Sequence, residues 1–116
     1  LNNKLLHMRN VNKVVLIGNL TRDPEMRRTQ NEQYVTTFGL ATNREWVTKD
    51  GRKQQSSEFH DIVCWGKLAE IANQFLKKGK LVYIEGYLKT RSWDDVQGIT
   101  LSMRSIISRS ASISGG

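Results

Sequence analysis

Residues 58–93, EFHDIVCWGKLAEIANQFLKKGKLVYIEGYLKTRSW, change period twice, and those changes decide the fold. From Glu58 to Trp65 the pattern has period two: Phe59, Asp61, Val63 and Trp65 fall on one face, His60, Ile62 and Cys64 on the other. With the even face turned to the core, Phe59 and Trp65 stand outside, about 20 Å apart at ~3.3 Å per residue. Gly66-Lys67 ends the alternation. Leu68, Ile71, Ala72, Phe75 and Leu76 then follow helical spacing, with Lys77 and Lys78 in the predicted last turn and Gly79 as its left-handed cap. Alternation resumes at Leu81: Val82, Ile84, Leu88 and Thr90 on one face, and Tyr83, Glu85, Tyr87, Lys89, Arg91 and Trp93 on the other. That second face is both aromatic and basic.

Working outward, Val11 to Leu20 reads as a first strand, and its run Val14-Val15-Leu16-Ile17 is apolar on both faces. One side meets the core, and the other is expected to meet a neighbour or a partner chain. Asp23-Pro24 reverses the chain, Met26 to Gln33 is polar, and Tyr34 to Trp46 gives a second strand in which Gly39 marks a bend or close backbone approach. Asp50-Gly51, set among Lys49, Arg52 and Lys53, signals a basic hairpin. Asp94 to Gly98 is a turn, and a last strand runs from Ile99 to about Ile107.

Five strands with one helix between the third and fourth predict an all-β, five-stranded, partly open Greek-key barrel, the OB-fold. The domain is expected over residues 11–107. Residues 1–10 read as a flexible leader or a processing or cloning remnant, with Met8 as a natural start, and residues 108–116, rich in Ser and Gly, as a disordered tail.

The 116 residues suffice for one core, and no apolar run is long enough to span a bilayer. One cysteine, Cys64, cannot form an internal disulfide, and with only His7 and His60 no metal-ligand set is expected. No nucleophile with a base, paired carboxylates or phosphate-binding glycine loop appears, so neither an enzyme nor a cofactor is predicted. A net charge of +7 favours an anionic partner. Trp46, Phe59, Trp65 and Trp93, interleaved with lysines and arginines at strand ends and outer positions, narrow that partner to unpaired bases stacked on rings with their phosphates along the cations.

The motifs Asn12 to Leu20, Asp23-Pro24-Glu25, Leu40 to Asn43, Trp65 to Glu70, Lys78-Gly79, Val82 to Gly86 and Thr90 to Trp93 together resemble the bacterial-type single-stranded DNA-binding proteins, also found in organelles. The resemblance covers Val11 to about Ile107. It implies a homotetramer of OB-folds that binds single-stranded DNA in replication, recombination and repair, in the bacterial cytoplasm or an organelle matrix. Trp46, Phe59, Trp65 and Trp93 match its base-stacking positions. Lys13, Arg27, Lys49, Lys67, Lys78, Lys89 and Arg91 fall at or near its backbone-contacting positions, and Val14, Leu16 and His60 at its subunit interface.

Phe59 and Trp65 stand where the family usually has the reverse pair of ring types, and Asp61 where a basic residue is common. The family's acidic tail has no counterpart through Gly116, so the chain reads as truncated, and recruitment of replication and repair proteins depends on such a tail in the full-length protein. Two rival readings use the same fold: an RNA-binding module, separable by DNA/RNA competition, and a primosomal assembly factor, against which the four aromatic positions argue.

Overall fold

The computed structural model describes residues 9–94 and 100–113, with side chains described over residues 9–90 and 106–108. In chain order the elements are β1 (Val14–Leu20), β2 (Glu25–Arg28), β3 (Tyr34–Val47), β4 (Lys53–Trp65), α1 (Lys67–Phe75), β5 (Leu81–Asp94) and β6 (Thr100–Ile113). β1 pairs with β5, β5 with β6, β6 with β4, β4 with β3, and β3 returns to β1. That circuit closes a five-stranded barrel whose helix lies between its third and fourth strands, the expected OB-fold. Among the described residues β4–β6 is the one parallel ladder, with Ile62 opposite Ile106 and Val63 opposite Ile107. The closing seam is short: Asn19 opposite Ala41 and Leu20 opposite Leu40. At Gly18 a Cβ would overlap the Ala41 carbonyl, so glycine is what lets β1 approach β3 so closely.

Period-two patterning explains the core. Phe38 and Leu40 of β3, Ile62 and Cys64 of β4, Val82 and Ile84 of β5 and Ile106 of β6 all point inward and are buried. α1 and the residue that follows it cover them with a stripe that keeps Leu68, Ala72 and Leu76 of the expected one, gains Ala69 and loses Ile71 and Phe75. Ala69, Ala72 and Leu76 are buried and Leu68 packs beside them, while Ile71 and Phe75 are exposed. The small alanines bring the helix close to the barrel, and the Thr36 hydroxyl, itself buried, donates to the Ala69 carbonyl at 2.7 Å. This contact fixes the rotation of the helix, which periodicity alone leaves free.

Several other boundaries move. The helix stops at Phe75 and Leu76 is already extended, so Lys77 and Lys78 lie beyond its last turn. Gly79, at φ 89°, serves the turn into β5 instead of capping the helix, and its N–H donates to the Leu20 carbonyl at 2.8 Å. β2 arises where the sequence reads as a turn at Glu25 and a polar segment from Met26, because its four residues are exposed on both faces and show no apolar alternation to mark a strand. Its backbone adds a sixth strand at the side of β3, Arg27 opposite Val35. β6 runs past Ile107, so over residues 108–113 the expected disordered tail is strand instead: Ser108 pairs with Gly86 and Ile113 with Val82, the ladder bulging between, while residues 114–116 lie outside the described residues. Backbone pairing to β5 satisfies these Ser-rich residues without any apolar requirement. Of the expected leader, residues 1–8 lie outside the described residues, as do 95–99 of the predicted turn.

Candidate nucleic-acid interface

The β3–β4 ladder sets Val35 opposite Trp65 and Ala41 opposite Phe59, which places both rings on the outer face of the barrel, as their parity predicts. Phe59 is 73% exposed and Trp65 43% exposed, values that oppose the usual burial of aromatics. Trp46 is exposed for another reason. It pairs with Gln54 and shares the even parity of Phe38 and Leu40, so it sits on the opposite face of the β3–β4 hairpin, beyond the reach of the core. The Arg44 guanidinium lies 5.0 Å from the centre of its ring. Trp93 is located by its backbone, opposite Leu101, and Arg91 opposite Met103; their side chains lie outside those described.

The register also collects residues that sequence order separates. Thr37 is opposite Val63, Val63 opposite Ile107, and Ile107 opposite Tyr87, so one row crosses four strands on the outer face. Two residues along β4 stands Trp65, and two along β5 stands Lys89. Together with Arg27, Thr29 and Val35 these residues line a cavity of about 370 Å³. On the other side of Trp65 a second, more open cleft is lined by Glu32, Gln33, Tyr34, Gly66, Lys67 and Glu70. Trp65 is therefore a wall shared by two depressions with cations at their edges: Arg27 and Lys89 on one, Lys67 on the other. Arg28 lies 5.2 Å over the Tyr34 ring, adding a cation beside the second.

The remaining predicted cations are dispersed. Lys13 ion-pairs with Glu85 at 3.6 Å on the β1–β5 surface. Lys49 lies in the exposed hairpin turn, where Asp50 is held below the ordinary carboxylate range by the Thr48 hydroxyl and the Arg52 guanidinium, the latter at 2.9 Å. Lys78 follows the helix, and its backbone N–H donates to Asp23 at 2.8 Å. Asp61, the acidic departure, is answered by Arg22 at 4.0 Å; at Gly39 the Thr21 hydroxyl and the Arg22 guanidinium fill the space a Cβ would take, and the Thr21 N–H donates to the Gly39 carbonyl at 3.0 Å, the close backbone approach expected there.

The residues expected at a subunit interface divide between the two faces of β1 and the β3–β4 ladder. Val14 and Leu16 pack against the core, opposite Gly86 and Ile84, whereas Val15 and Ile17 are the exposed members of the run, opposite Glu85 and Tyr83. Strand parity explains the division, since alternate residues of an all-apolar run still fall on two faces. His60 is half-buried, its Nε2 3.0 Å from the Thr42 hydroxyl. Cys64 is enclosed, and burial pushes its thiol up to about 11, removing it as a nucleophile near neutrality.

Thr29, Thr37 and Tyr87 escaped selection as site residues. Tyr87 had a usable signal, its alternation with Lys89 and Arg91; Thr29 and Thr37 become neighbours only through β2 and β4. Among the described residues no three His, Cys, Asp or Glu side chains gather to hold a metal, and no helix is long and apolar enough to cross a membrane.

Residues 11–114 match the Single-strand binding protein family. A Single-stranded DNA-binding protein 1 of Chlorobaculum tepidum is 55% identical over 87 residues, covering 75% of this chain and 54% of that protein. The single-stranded DNA-binding protein of Neisseria meningitidis is 42% identical over 106 residues, covering 91% and 61%. This chain thus spans little more than half the length of these curated relatives. Among solved structures, the Plasmodium falciparum SSB complex with single-stranded DNA superposes with a TM-score of 0.77 at 28% identity, covering 90% of this chain and 93% of that one. A deletion mutant of the single-stranded DNA binding protein from Thermus aquaticus gives 0.80 at 27%, covering 91% and 51%.

Proposed function

The chain belongs to the single-strand binding protein family, and from that premise we propose that it is a non-catalytic protein that binds, protects and wraps single-stranded DNA without regard to sequence. The observation that carries this reading is Trp65, an outward ring between two depressions edged by Arg27, Lys89 and Lys67. Every base has a π-face, so rings accept any sequence, and the cations take the phosphates that follow. Duplex DNA has no such faces to offer, because its bases are stacked and paired.

The same reading makes the protein a homotetramer acting in replication, recombination and repair in the bacterial cytoplasm. Val15 and Ile17, 50% and 61% exposed on an ordered strand, supply apolar surface for a symmetric contact. Four copies give one strand several barrels to engage, each engaged site raising the local concentration of DNA at the next.

The test is tryptophan emission during titration with poly-dT at two salt concentrations. Quenching is expected, together with a log–log slope of affinity against salt of about −0.7 for each phosphate neutralised. Unchanged emission and a flat salt response would refute the reading.

A further inference from the structure

We propose that Tyr87 is a further base-contacting ring, closing with Trp65 a pocket that takes one unpaired nucleobase. The inference rests on the single-strand reading and adds to it a residue outside the four rings assigned from sequence. Tyr87 and Val63 are both opposite Ile107, so two strand spacings, about 10 Å, separate their backbones. Val63 and Ile107, half-buried, form the floor, with Tyr87 and Trp65 rising at either end. The enclosed space, about 370 Å³, lies within the range of small-molecule pockets.

The chemistry of the lining selects a nucleobase over a bare phosphate. An anion would gain nothing from the apolar floor, whereas a flat, uncharged ring removes that floor from water. The Thr29 and Thr37 hydroxyls each donate and accept, so they serve the edge of any base. Arg27 and Lys89, both exposed, stand where the flanking phosphates would pass. A base so placed is inserted into the barrel surface, in contrast to one laid on the open ring of Phe59.

The test compares Tyr87→Leu, which keeps apolar cover over Ile107 but removes the ring, with Tyr87→Phe, which keeps the ring. Binding of oligo-dT is expected to weaken roughly 5- to 150-fold in the leucine variant, the loss of one stacked base. The salt slope should hold at its wild-type value, and Phe should restore binding. Wild-type affinity in the leucine variant overturns the pocket while leaving the single-strand reading intact. Failure of the wild type itself to bind oligo-dT overturns that reading. Should the leucine variant not fold, photocrosslinking of wild type to 5-iododeoxyuridine oligomers decides: recovery of adducts on Tyr87 is expected, and adducts confined to Trp46 or Phe59 overturn the proposal.

Discussion

The guanidinium of Arg44 stands 5.0 Å from the centre of the Trp46 ring, two residues along the same strand and on the same face. One face of the indole is thereby held by a cation, and the other is left for a base. Trp46→Ala should weaken poly-dT binding by about 1–3 kcal/mol for the base it stacks. Arg44→Ala should cost less affinity and flatten the salt slope by about 0.7 if its charge also meets a phosphate. Fluorescence titration of both variants measures the two effects; an alanine at position 46 that binds like wild type would remove that ring from the platform.

Assembly is tested at the outer face of β1. Ile17→Asp places a carboxylate near Glu85, beside Tyr83, without touching the core side of the strand. Sedimentation equilibrium should give the wild type four times its 13.3 kDa chain mass, with the aspartate variant shifted toward smaller species. His60→Tyr should act similarly by overpacking a half-buried site and displacing the 3.0 Å contact with Thr42. A wild-type protein sedimenting as a monomer would rule out the tetramer and the wrapping that depends on it.

Cys64 gives a pH-dependent handle on stability. Burial raises its thiol from an ordinary 9.0 to about 11, with a hydrogen bond to Ser108 opposing part of the rise. The folded state favours the protonated thiol, so its contribution is complete below pH 9 and is lost as pH climbs toward 11. At pH 9 roughly half of the unfolded thiol and about one part in a hundred of the native thiol is ionised. Alkylation by iodoacetamide at that pH should therefore be at least tenfold slower in the native protein than in denaturant, and equal rates would show the residue to be accessible.

Gly18→Ala should destabilise the barrel by about 1–3 kcal/mol, because its new methyl group meets the Ala41 carbonyl, a backbone atom that no rotamer change can move aside. Urea denaturation monitored by circular dichroism provides the measurement. A midpoint equal to wild type would mean that β1 and β3 separate there at little cost.

Barrel order and core were legible because both rest on alternation: Phe38, Leu40, Ile62, Cys64, Val82 and Ile84 occupy the inward positions that period two assigns. What escaped depends on contacts between distant residues. Helix rotation follows from Thr36 bonding to Ala69, thirty-three residues away. β2 is held to β3 by backbone pairing, without apolar alternation to announce it. The same limit applied to the site. Phe59 and Trp65 could be placed outside by parity, whereas Trp46 has core parity and is exposed only because its hairpin outruns the core. Tyr87 joins Trp65 through Ile107, a neighbour in space that no local pattern in β5 specifies.

Two seams of the barrel, β1–β3 and β4–β6, are held by two register pairs each, while the β1–β5, β3–β4 and β5–β6 ladders are longer. β1 is fastened to β5 by six register pairs and continues that ladder through Asn12, whose side chain donates to the Leu88 carbonyl and accepts from its N–H, each at 2.9 Å. Slow amide exchange with solvent deuterium should consequently be distributed unevenly around the cylinder. Opening the β1–β3 seam bares Leu20 and Leu40 while the rest of the hydrogen-bonded wall stays intact, so this line protects its amides by less than the global unfolding free energy. The molecule breathes along its short seams and melts as a whole.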